Sequence, residues 1–336
     1  MIGRVVDLGR RVSAGVARRC SEMRLRLRQS TASRTARQLA RRGIPRHEIR
    51  GEHVAFVYEN APRLDTAADF AAVDEILPDL PVAVDLESRL WGVIIESRRH
   101  PALEPVIANI TDVLGIPVQV YHGPGVDEHM TSKRIRRLGA DGTVHFTPLR
   151  TNCLPASHYN ALLLSERFWQ SMRGRQKILF FQTDAILCRG SDFHLHDFLQ
   201  YDYIGSKWPR RRPVGLVVDG GNGGFSLRDW SRCMECLQRF PPAVWGGEED
   251  GYFAFHLDLM GAKVGRTSEC ARFSTQESFL FRSFGAHKIS ELDPASLARF
   301  LDYCPEAYLI LPTGAVDRSI PRPEQRPDRY FRVQES

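Results

Sequence analysis

Trp91-Gly-Val-Ile-Ile-Glu96 and Lys177-Ile-Leu-Phe-Phe181 are two short apolar runs with almost no polar alternation. Runs of this kind are typical of strands that a sheet buries on both faces. Between them, residues 101–114 place apolar side chains at helical spacing, and residues 116–121 form another apolar run. The segment therefore predicts a strand, a helix and a strand, followed later by a central strand.

The chain continues the same alternation between these elements. Residues 143–149 indicate a further strand, and residues 159–172 indicate a helix. This order predicts an α/β fold, with a mostly parallel, doubly wound sheet flanked by helices. In such sheets ligands bind at the carboxyl ends of the strands, so we expect the chemistry there. No dinucleotide-binding glycine turn or P-loop motif is present, so those enzyme classes are unsupported.

A carboxylate follows the central strand directly, in Phe180-Phe181-Gln182-Thr183-Asp184. At the ligand-binding edge of a sheet, Asp184 can hold a metal ion or a sugar hydroxyl. The alternative is an aspartate that caps the next helix or turn.

Two later segments combine glycines with polar side chains. Gly220–Arg228 surrounds Asn222 with four glycines, which let backbone N–H groups approach a ligand closely. A glycine-rich hairpin without a ligand would look the same. Trp245–Phe253 places three carboxylates before a predicted amphipathic helix. One of them can act as a general base towards a hydroxyl, and an acidic helix N-terminus favoured by the helix dipole is the alternative.

The order of these segments resembles GT-A-type glycosyltransferases, and in particular a GT-A-like family catalogued as a domain of unknown function. The resemblance covers roughly residues 90–290. The motifs that carry it are Glu96-Ser-Arg98, Tyr159-Asn160, Phe181-Gln-Thr-Asp184, Asp202-Tyr-Ile-Gly205, Asn222-Gly-Gly-Phe-Ser-Leu-Arg228, Glu249-Asp250 and Phe284-Gly-Ala-His-Lys288. It implies transfer of a sugar from a nucleotide-sugar donor to a hydroxyl of a glycan, a lipid or a small molecule.

The resemblance also implies a divalent cation, Mn²⁺ or Mg²⁺, that bridges the two phosphates of the donor. The superfamily binds it through Asp-x-Asp, whereas this chain has Gln182-Thr183-Asp184 and keeps only the second carboxylate. Asp184 and the late His287 are the metal ligands that the resemblance suggests. An exposed loop histidine is the alternative for His287. The cation would stabilise the departing nucleoside diphosphate as a Lewis acid.

The contacts with the donor follow from the same resemblance. Glu96 and Arg98 would meet the nucleotide base and ribose, although a surface ion pair is the alternative. The residues that would complete the nucleotide-sugar site are Gln182, Thr183, Asn222, Gly223, Gly224 and Lys288.

Catalysis is expected at the acidic segment. The resemblance makes Asp250 the general base, with Glu249 as the second candidate, in a single displacement with inversion. A retaining enzyme would need neither carboxylate in this role. Trp208 and Trp245 lie in predicted loops, where their rings can stack on an acceptor sugar. The alternative is that each belongs to the core.

The charge of the chain is concentrated at its start. Residues 1–50 hold fourteen arginines, no lysine and three acidic residues, a net charge of +11 against +6 for the whole chain. The rest is net negative, which argues against nucleic acid as the ligand of the main domain. Apolar spacing over residues 1–29 predicts a basic amphipathic helix. That helix can lie on an anionic membrane surface, act as a transit peptide or pack on protein.

Four segments follow from these patterns: a basic helix and linker over 1–50, a lead-in over 51–89, the glycosyltransferase-like domain over 90–290, and a helix with a proline-rich tail over 291–336. Seven cysteines in 336 residues favour a reducing cytosol. The basic amphipathic helix adds the expectation of peripheral contact at the inner membrane face through residues 1–29. The leading hypothesis is a metal-assisted glycosyltransferase. The alternative is a non-catalytic module on the same fold that binds a nucleotide-sugar or a glycan.

Overall fold

The computed structural model describes residues 68–79, 89–208, 219–245 and 247–311. The predicted N-terminal helix and linker, most of the lead-in segment, and the tail over 312–336 lie outside the described residues. So does an arginine run at 210–212. The proposed division into four segments stays a prediction.

A six-stranded sheet forms the centre of the molecule, with strand order β3-β2-β1-β4-β7-β6. A second, three-stranded sheet has the order β5-β9-β8. In chain order the strands are β1 Leu90–Glu96, β2 Val118–His122, β3 Val144–Pro148, β4 Lys177–Phe181, β5 Ala185–Leu187, β6 Tyr203–Ser206, β7 Asn222–Asp229, β8 Ser274–Thr275 and β9 Gly285–His287.

The predicted α/β fold with a mostly parallel sheet is confirmed. β1 pairs in parallel with β2 and β4, and β2 pairs in parallel with β3. The other edge is antiparallel, because β7 runs against β4 and β6 runs against β7. This reversal brings the start of β7 to the same edge as the carboxyl ends of β1 and β4.

Helices cover both faces of the large sheet. They are α1 Ala72–Ile76, α2 Leu103–Leu114, α3 Lys133–Ala140, α4 Ala156–Leu163, α5 Glu166–Gln170, α6 Trp230–Arg239, α7 Glu249–Leu259, α8 Thr267–Phe273 and α9 Pro294–Tyr303. Two apolar clusters result, one on each face: Ile94 of β1 belongs to the first, and its neighbours Val93 and Ile95 belong to the second. The alternation is the two-residue period of a strand buried on both sides.

Two helix predictions need correction. The helix expected over 159–172 is divided into α4 and α5, because Ser165 between them has extended dihedral angles of φ −97° and ψ 125°. The helix after Glu248 is not amphipathic: every residue from Glu249 to Asp258 is buried. It lies inside the second apolar cluster, so it has no solvent-exposed face and its sequence does not alternate between apolar and polar residues with helical period.

Cys188 and Cys304 form a disulfide that the sequence did not predict, with Cα atoms 5.1 Å apart and 116 residues of separation. Such a distance along the chain leaves no spacing signal. Cys233 and Cys236 are buried, unpaired thiols on α6. Within the described ranges, no helix has the length and apolar character needed to cross a membrane.

Candidate functional site

A cavity of about 700 Å³ opens at the carboxyl ends of β1 and β4. The start of β7 and the first turn of α7 close its other side. Most of the predicted site residues line it together: Glu96, Arg98, Gln182, Thr183, Asp184, Asn222, Gly223, Gly224, Glu249, Asp250 and Lys288. Segments as far apart in sequence as Glu96 and Lys288 therefore meet where α/β sheets bind ligands.

Asp184 and His287 meet because β5 and β9 are paired. Ala185 lies opposite His287 in that pair, and Nε2 of His287 lies 3.2 Å from Oδ1 of Asp184. The imidazole is fully buried, while the Asp184 side chain is 42% exposed. Burial alone would raise the pKa of Asp184, but the interaction with His287 and the charge of Lys288 outweigh it and lower that pKa. Asp184 is therefore ionised at neutral pH.

Gln182 occupies the position of the missing first aspartate. Its Oε1 lies 3.3 Å from Nε2 of His287, and its Nε2 donates to the hydroxyl of Tyr159 at 3.2 Å. A Cβ at Gly224 would collide with the His287 imidazole, so only glycine lets β7 pass this close. The glycine at 224 thus has a packing reason that holds with or without a ligand.

The donor set around Asp184 suits a hard divalent cation. One carboxylate, one imidazole and the carboxamide oxygen of Gln182 are the O and N ligands that Mn²⁺ or Mg²⁺ accepts in proteins. No group of three or more His, Cys, Asp or Glu residues with metal-binding geometry occurs in the described parts of the chain. The protein thus offers both predicted ligands, Asp184 and His287, and would leave further positions to substrate and water.

Asp250 is the second residue of α7 and is 5% exposed. Its Oδ2 accepts hydrogen bonds from Nδ2 of Asn222 and from the backbone N–H of Gly223, both at 3.1 Å. Burial and then the charges of Glu249 and Glu248 raise the pKa of Asp250 to about 7. A carboxylate with this pKa can take up and release a proton near neutral pH.

Glu249 has a different partner. Its carboxylate accepts two hydrogen bonds from the buried guanidinium of Arg228, Nη1 to Oε2 at 2.6 Å and Nη2 to Oε1 at 3.1 Å. Its backbone N–H donates to Oδ1 of Asn160 at 2.9 Å. Because Glu249 is the counter-ion of a buried cation, we retain Asp250 as the candidate base in preference to Glu249.

Glu96 and Arg98 form a chelated pair at the end of β1. The Arg98 side chain donates from Nε at 2.9 Å and from Nη2 at 3.0 Å to the two oxygens of Glu96. Glu96 is buried, and the Arg98 side chain is 67% exposed. The geometry therefore agrees with the alternative of a surface ion pair. Both residues also line the cavity.

The two tryptophans do not line the cavity. Trp245 is 2% exposed, stacks on Phe255 and donates from Nε1 to the backbone oxygen of Glu248 at 2.9 Å. Trp208 is half-buried and packs against the second apolar cluster. The core alternative is the one the structure supports for Trp245, because the buried helix α7 needs an aromatic partner. No acceptor contact is proposed for either ring.

Residues 143–287, less than half of the chain, are similar to a family described as "Protein of unknown function (DUF5672)". None of the curated proteins matches the chain. The family match begins at β3 and ends at His287, so it includes Asp184 and Asp250 but leaves out Glu96 and Arg98.

Two solved structures illustrate what the chain is similar to. A protein assigned as a glucose-1-phosphate thymidylyltransferase from Bacillus anthracis, in complex with sucrose, is 14% identical; the match covers 52% of this chain and 85% of that chain, with a TM-score of 0.32. A mannosyltransferase from Pyrobaculum calidifontis, in complex with GDP-Man and Mn²⁺, is 16% identical; the match covers 71% of this chain and 64% of that chain, with a TM-score of 0.37. The neighbours thus include a nucleotidyltransferase and a glycosyltransferase.

Several residues that line the cavity or pack behind it were not singled out from the sequence. Arg228 had a usable signal, because a charged residue within a buried strand needs a buried counter-ion. Tyr159 and Asn160 appeared only as parts of a motif, although one holds Gln182 and the other holds the start of α7. His100 and Cys153 also line the cavity, and no local pattern marks either of them.

Proposed function

We propose that the protein is a glycosyltransferase that moves a sugar from a nucleotide-sugar donor to a hydroxyl acceptor. The observation that carries the proposal is the pair of carboxylates in one cavity. Asp250 has a pKa raised to about 7, while Asp184, next to His287 and Lys288, has a lowered pKa. One carboxylate is suited to exchanging a proton, and the other is suited to holding positive charge near a phosphate.

The proposed reaction is a single displacement. The acceptor oxygen forms a bond to the anomeric carbon of the donor sugar while the bond from that carbon to the phosphate oxygen breaks. The hydroxyl proton passes to Asp250, and both electrons of the broken bond leave with the nucleoside diphosphate. The configuration at the anomeric carbon is inverted. Asn222 and Gly223 orient Asp250 for this step through their hydrogen bonds to Oδ2.

The leaving diphosphate needs positive charge, and the cavity offers several sources. Lys288 and Arg98 line the cavity. Asp184 and His287 would hold a divalent cation, which would act as a Lewis acid on the diphosphate. The lining carboxylates Glu96, Asp184, Glu248, Glu249 and Asp250 outnumber the lining cations, so a diphosphate would otherwise enter a negative field.

The second candidate is a non-catalytic module that binds a nucleotide-sugar. Gln182 favours it, because the carboxamide is engaged with Tyr159 and stands where the superfamily has a metal-binding carboxylate. Such a module would show donor affinity without turnover.

A thiol in the cavity allows binding and turnover to be measured separately. Cys153 lines the cavity and is exposed, whereas the other free cysteines of the described residues are buried. In a Cys20→Ser background, we would follow alkylation of Cys153 by N-ethylmaleimide with UDP, GDP, dTDP or CMP, each with Mn²⁺ or EDTA. We expect one nucleotide to protect Cys153 in the presence of Mn²⁺. At about 100 times its dissociation constant it should also add about 2.7 kcal/mol to the free energy of unfolding.

The matching nucleotide-sugar is then tested for release of nucleoside diphosphate. Protection with release supports the glycosyltransferase, and protection without release for any acceptor class supports the binding module. Asp184→Asn should abolish the Mn²⁺-dependent part of the protection. Asp192→Asn, which removes an exposed carboxylate near Arg282, is the matched control. Absence of protection by every nucleotide would contradict both candidates.

A further inference from the structure

Arg228 is a cation inside the core. Its side chain is fully buried, and its guanidinium carbon lies 4.7 Å from the ring centre of Phe180, 5.2 Å from that of Tyr203 and 5.4 Å from that of Phe253. Its Nε donates to Oγ of Ser226 at 2.9 Å. A buried charge is costly unless it is paired, and the partner here is Glu249. The aromatic rings and the carboxylate together fix the guanidinium in one orientation.

This pair lies directly against Asp250. A Cβ placed at Gly223 would have Oε1 of Glu249, Nη2 of Arg228 and Cβ of Asp250 all within 3.1 Å. Gly223 itself donates its N–H to Asp250. The strand that carries Arg228 and the helix that carries Asp250 therefore meet at one glycine, with the ion pair behind the contact.

We infer that Arg228 is a positioning residue: by pairing with Glu249 it holds the first turn of α7 in place and screens Asp250 from the charge of Glu249. Arg228 does not line the cavity and touches no substrate. It acts on Asp250 through its pairing with Glu249 and through its own positive charge, which that pairing neutralises. The inference rests on the proposed function only for its catalytic consequence, since the electrostatic effect on Asp250 can be measured without turnover.

Other charged groups face Asp250 as well. Glu249 in α7 and Glu248 at the N-cap of that helix raise its pKa, and the Tyr203 phenol on β6 is close enough to interact with it electrostatically. The remaining charged groups that line the same cavity are Glu96, Arg98, Asp184 and Lys288. A test of the pair formed by Arg228 and Glu249 must therefore leave the other groups unchanged.

The test compares Arg228→Met, Glu249→Gln and the double variant Arg228→Met/Glu249→Gln by ¹³C NMR titration of aspartate carboxyls, with the Asp250 signal assigned from Asp250→Asn. Arg228→Met leaves the Glu249 charge unscreened, so the pKa of Asp250 should rise. Glu249→Gln leaves an uncompensated cation beside Asp250, so the pKa should fall, by on the order of one pH unit. The double variant removes both charges and should lie between the two, near the unmodified protein.

Glu235→Gln is the matched control, because it breaks an exposed ion pair with Arg232 and should leave Asp250 unaffected. If Arg228→Met does not fold, the comparison of Glu249→Gln with the double variant still tests the inference. The pKa of Asp250 must then be higher in the double variant than in Glu249→Gln. Equal values in those two variants, or shifts in the same direction for all three, would overturn the inference. A failure of the proposed function is recognised differently, by the absence of nucleoside diphosphate release from every donor tested while the NMR pattern of Asp250 holds.

Discussion

Asp250 and Asp184 are two carboxylates of one cavity whose surroundings move their pKa values in opposite directions. Burial and the neighbouring glutamates raise that of Asp250, whereas His287 and Lys288 outweigh burial at Asp184. Residues of the same type can therefore take different roles within one cavity. At the scale of the residue, the hypothesis of a base and a cation ligand depends on these surroundings and not on residue type.

Asp250→Asn should lower the rate of donor turnover by on the order of 10²–10⁴, because the amide cannot accept the proton of the acceptor hydroxyl. Protection of Cys153 by nucleotide should be unchanged, since Asp250 is not a proposed nucleotide contact. The measurement is release of nucleoside diphosphate at saturating donor. Asp302→Asn, on the exposed side of α9, serves as the control. Turnover within a factor of two of the unmodified enzyme would remove Asp250 from the mechanism.

The same pKa makes a prediction about stability. The folded state raises the pKa of Asp250 from 3.8 to about 7, so between these values it keeps a proton that the unfolded chain has lost. The contribution of Asp250 to the free energy of unfolding should therefore be present below about pH 4 and be lost as the pH rises to 7. In urea denaturation from pH 4 to 7.5, the stability of the unmodified protein should fall relative to that of Asp250→Asn as the pH rises. Parallel curves for the two proteins would contradict the raised pKa.

At the scale of elements, α7 and β7 determine the shape of the site. The helix is buried on all sides, and Asn160 on α4 accepts a hydrogen bond from its first backbone N–H. The strand passes so close to Glu249 and His287 that side chains at 223 and 224 would collide with them. Glycine in this segment is therefore required by packing between elements as well as by access of a ligand.

Gly224→Ala and Gly251→Ala form a matched pair that tests this packing. A Cβ at 224 would collide with the His287 imidazole, so the first variant should be destabilised by about 1–3 kcal/mol and should lose protection of Cys153 by nucleotide with Mn²⁺. A Cβ at 251 would meet Trp245 at 3.5 Å, an ordinary contact, and alanine favours the helix. That variant should be as stable as the unmodified protein or up to about 1 kcal/mol more stable. Thermal unfolding separates these outcomes, and equal loss in both would contradict the argument.

At the scale of the whole molecule, the disulfide joins the small sheet to α9, the last α-helix of the described residues. Cys188 follows β5, and Cys304 ends α9. Asp184, the candidate metal ligand, immediately precedes β5, and Cys188 immediately follows it. The disulfide therefore anchors the end of β5 that is farther from Asp184. The candidate site itself lies at the opposite end of β5.

Reduction of this disulfide should therefore lower stability without abolishing binding. Cross-links that close long loops contribute about 2–5 kcal/mol, and this loop spans 116 residues. Cys188→Ser/Cys304→Ser should shift urea denaturation to lower concentration, while protection of Cys153 by nucleotide persists below the transition. Cys233→Ala, which alters an unpaired buried thiol, controls for the loss of a cysteine as such. An unchanged denaturation midpoint in the double variant would show that the link adds nothing to stability.

The sequence by itself determined the alternation of strands and helices and the edge of the sheet at which polar residues gather. Apolar runs and helical spacing are local patterns, so β1, α2, β2 and β4 could be predicted from residues that are neighbours in the chain. The same local reasoning placed Asp184 after a buried strand. It joined α4 and α5 into one helix across Ser165, and it gave α7 a solvent face because burial of a whole helix leaves no period to read.

Only the tertiary structure decided which of these residues act on one another. Asp184 meets His287 through the pairing of β5 with β9, and Glu249 is occupied by Arg228 while its neighbour Asp250 faces the cavity. Trp245 turned out to belong to the core for the same kind of reason. Each of these facts depends on contacts between segments that are far apart in the chain. The spacing of residues within one segment carries no information about such contacts, so they could not be predicted from the sequence.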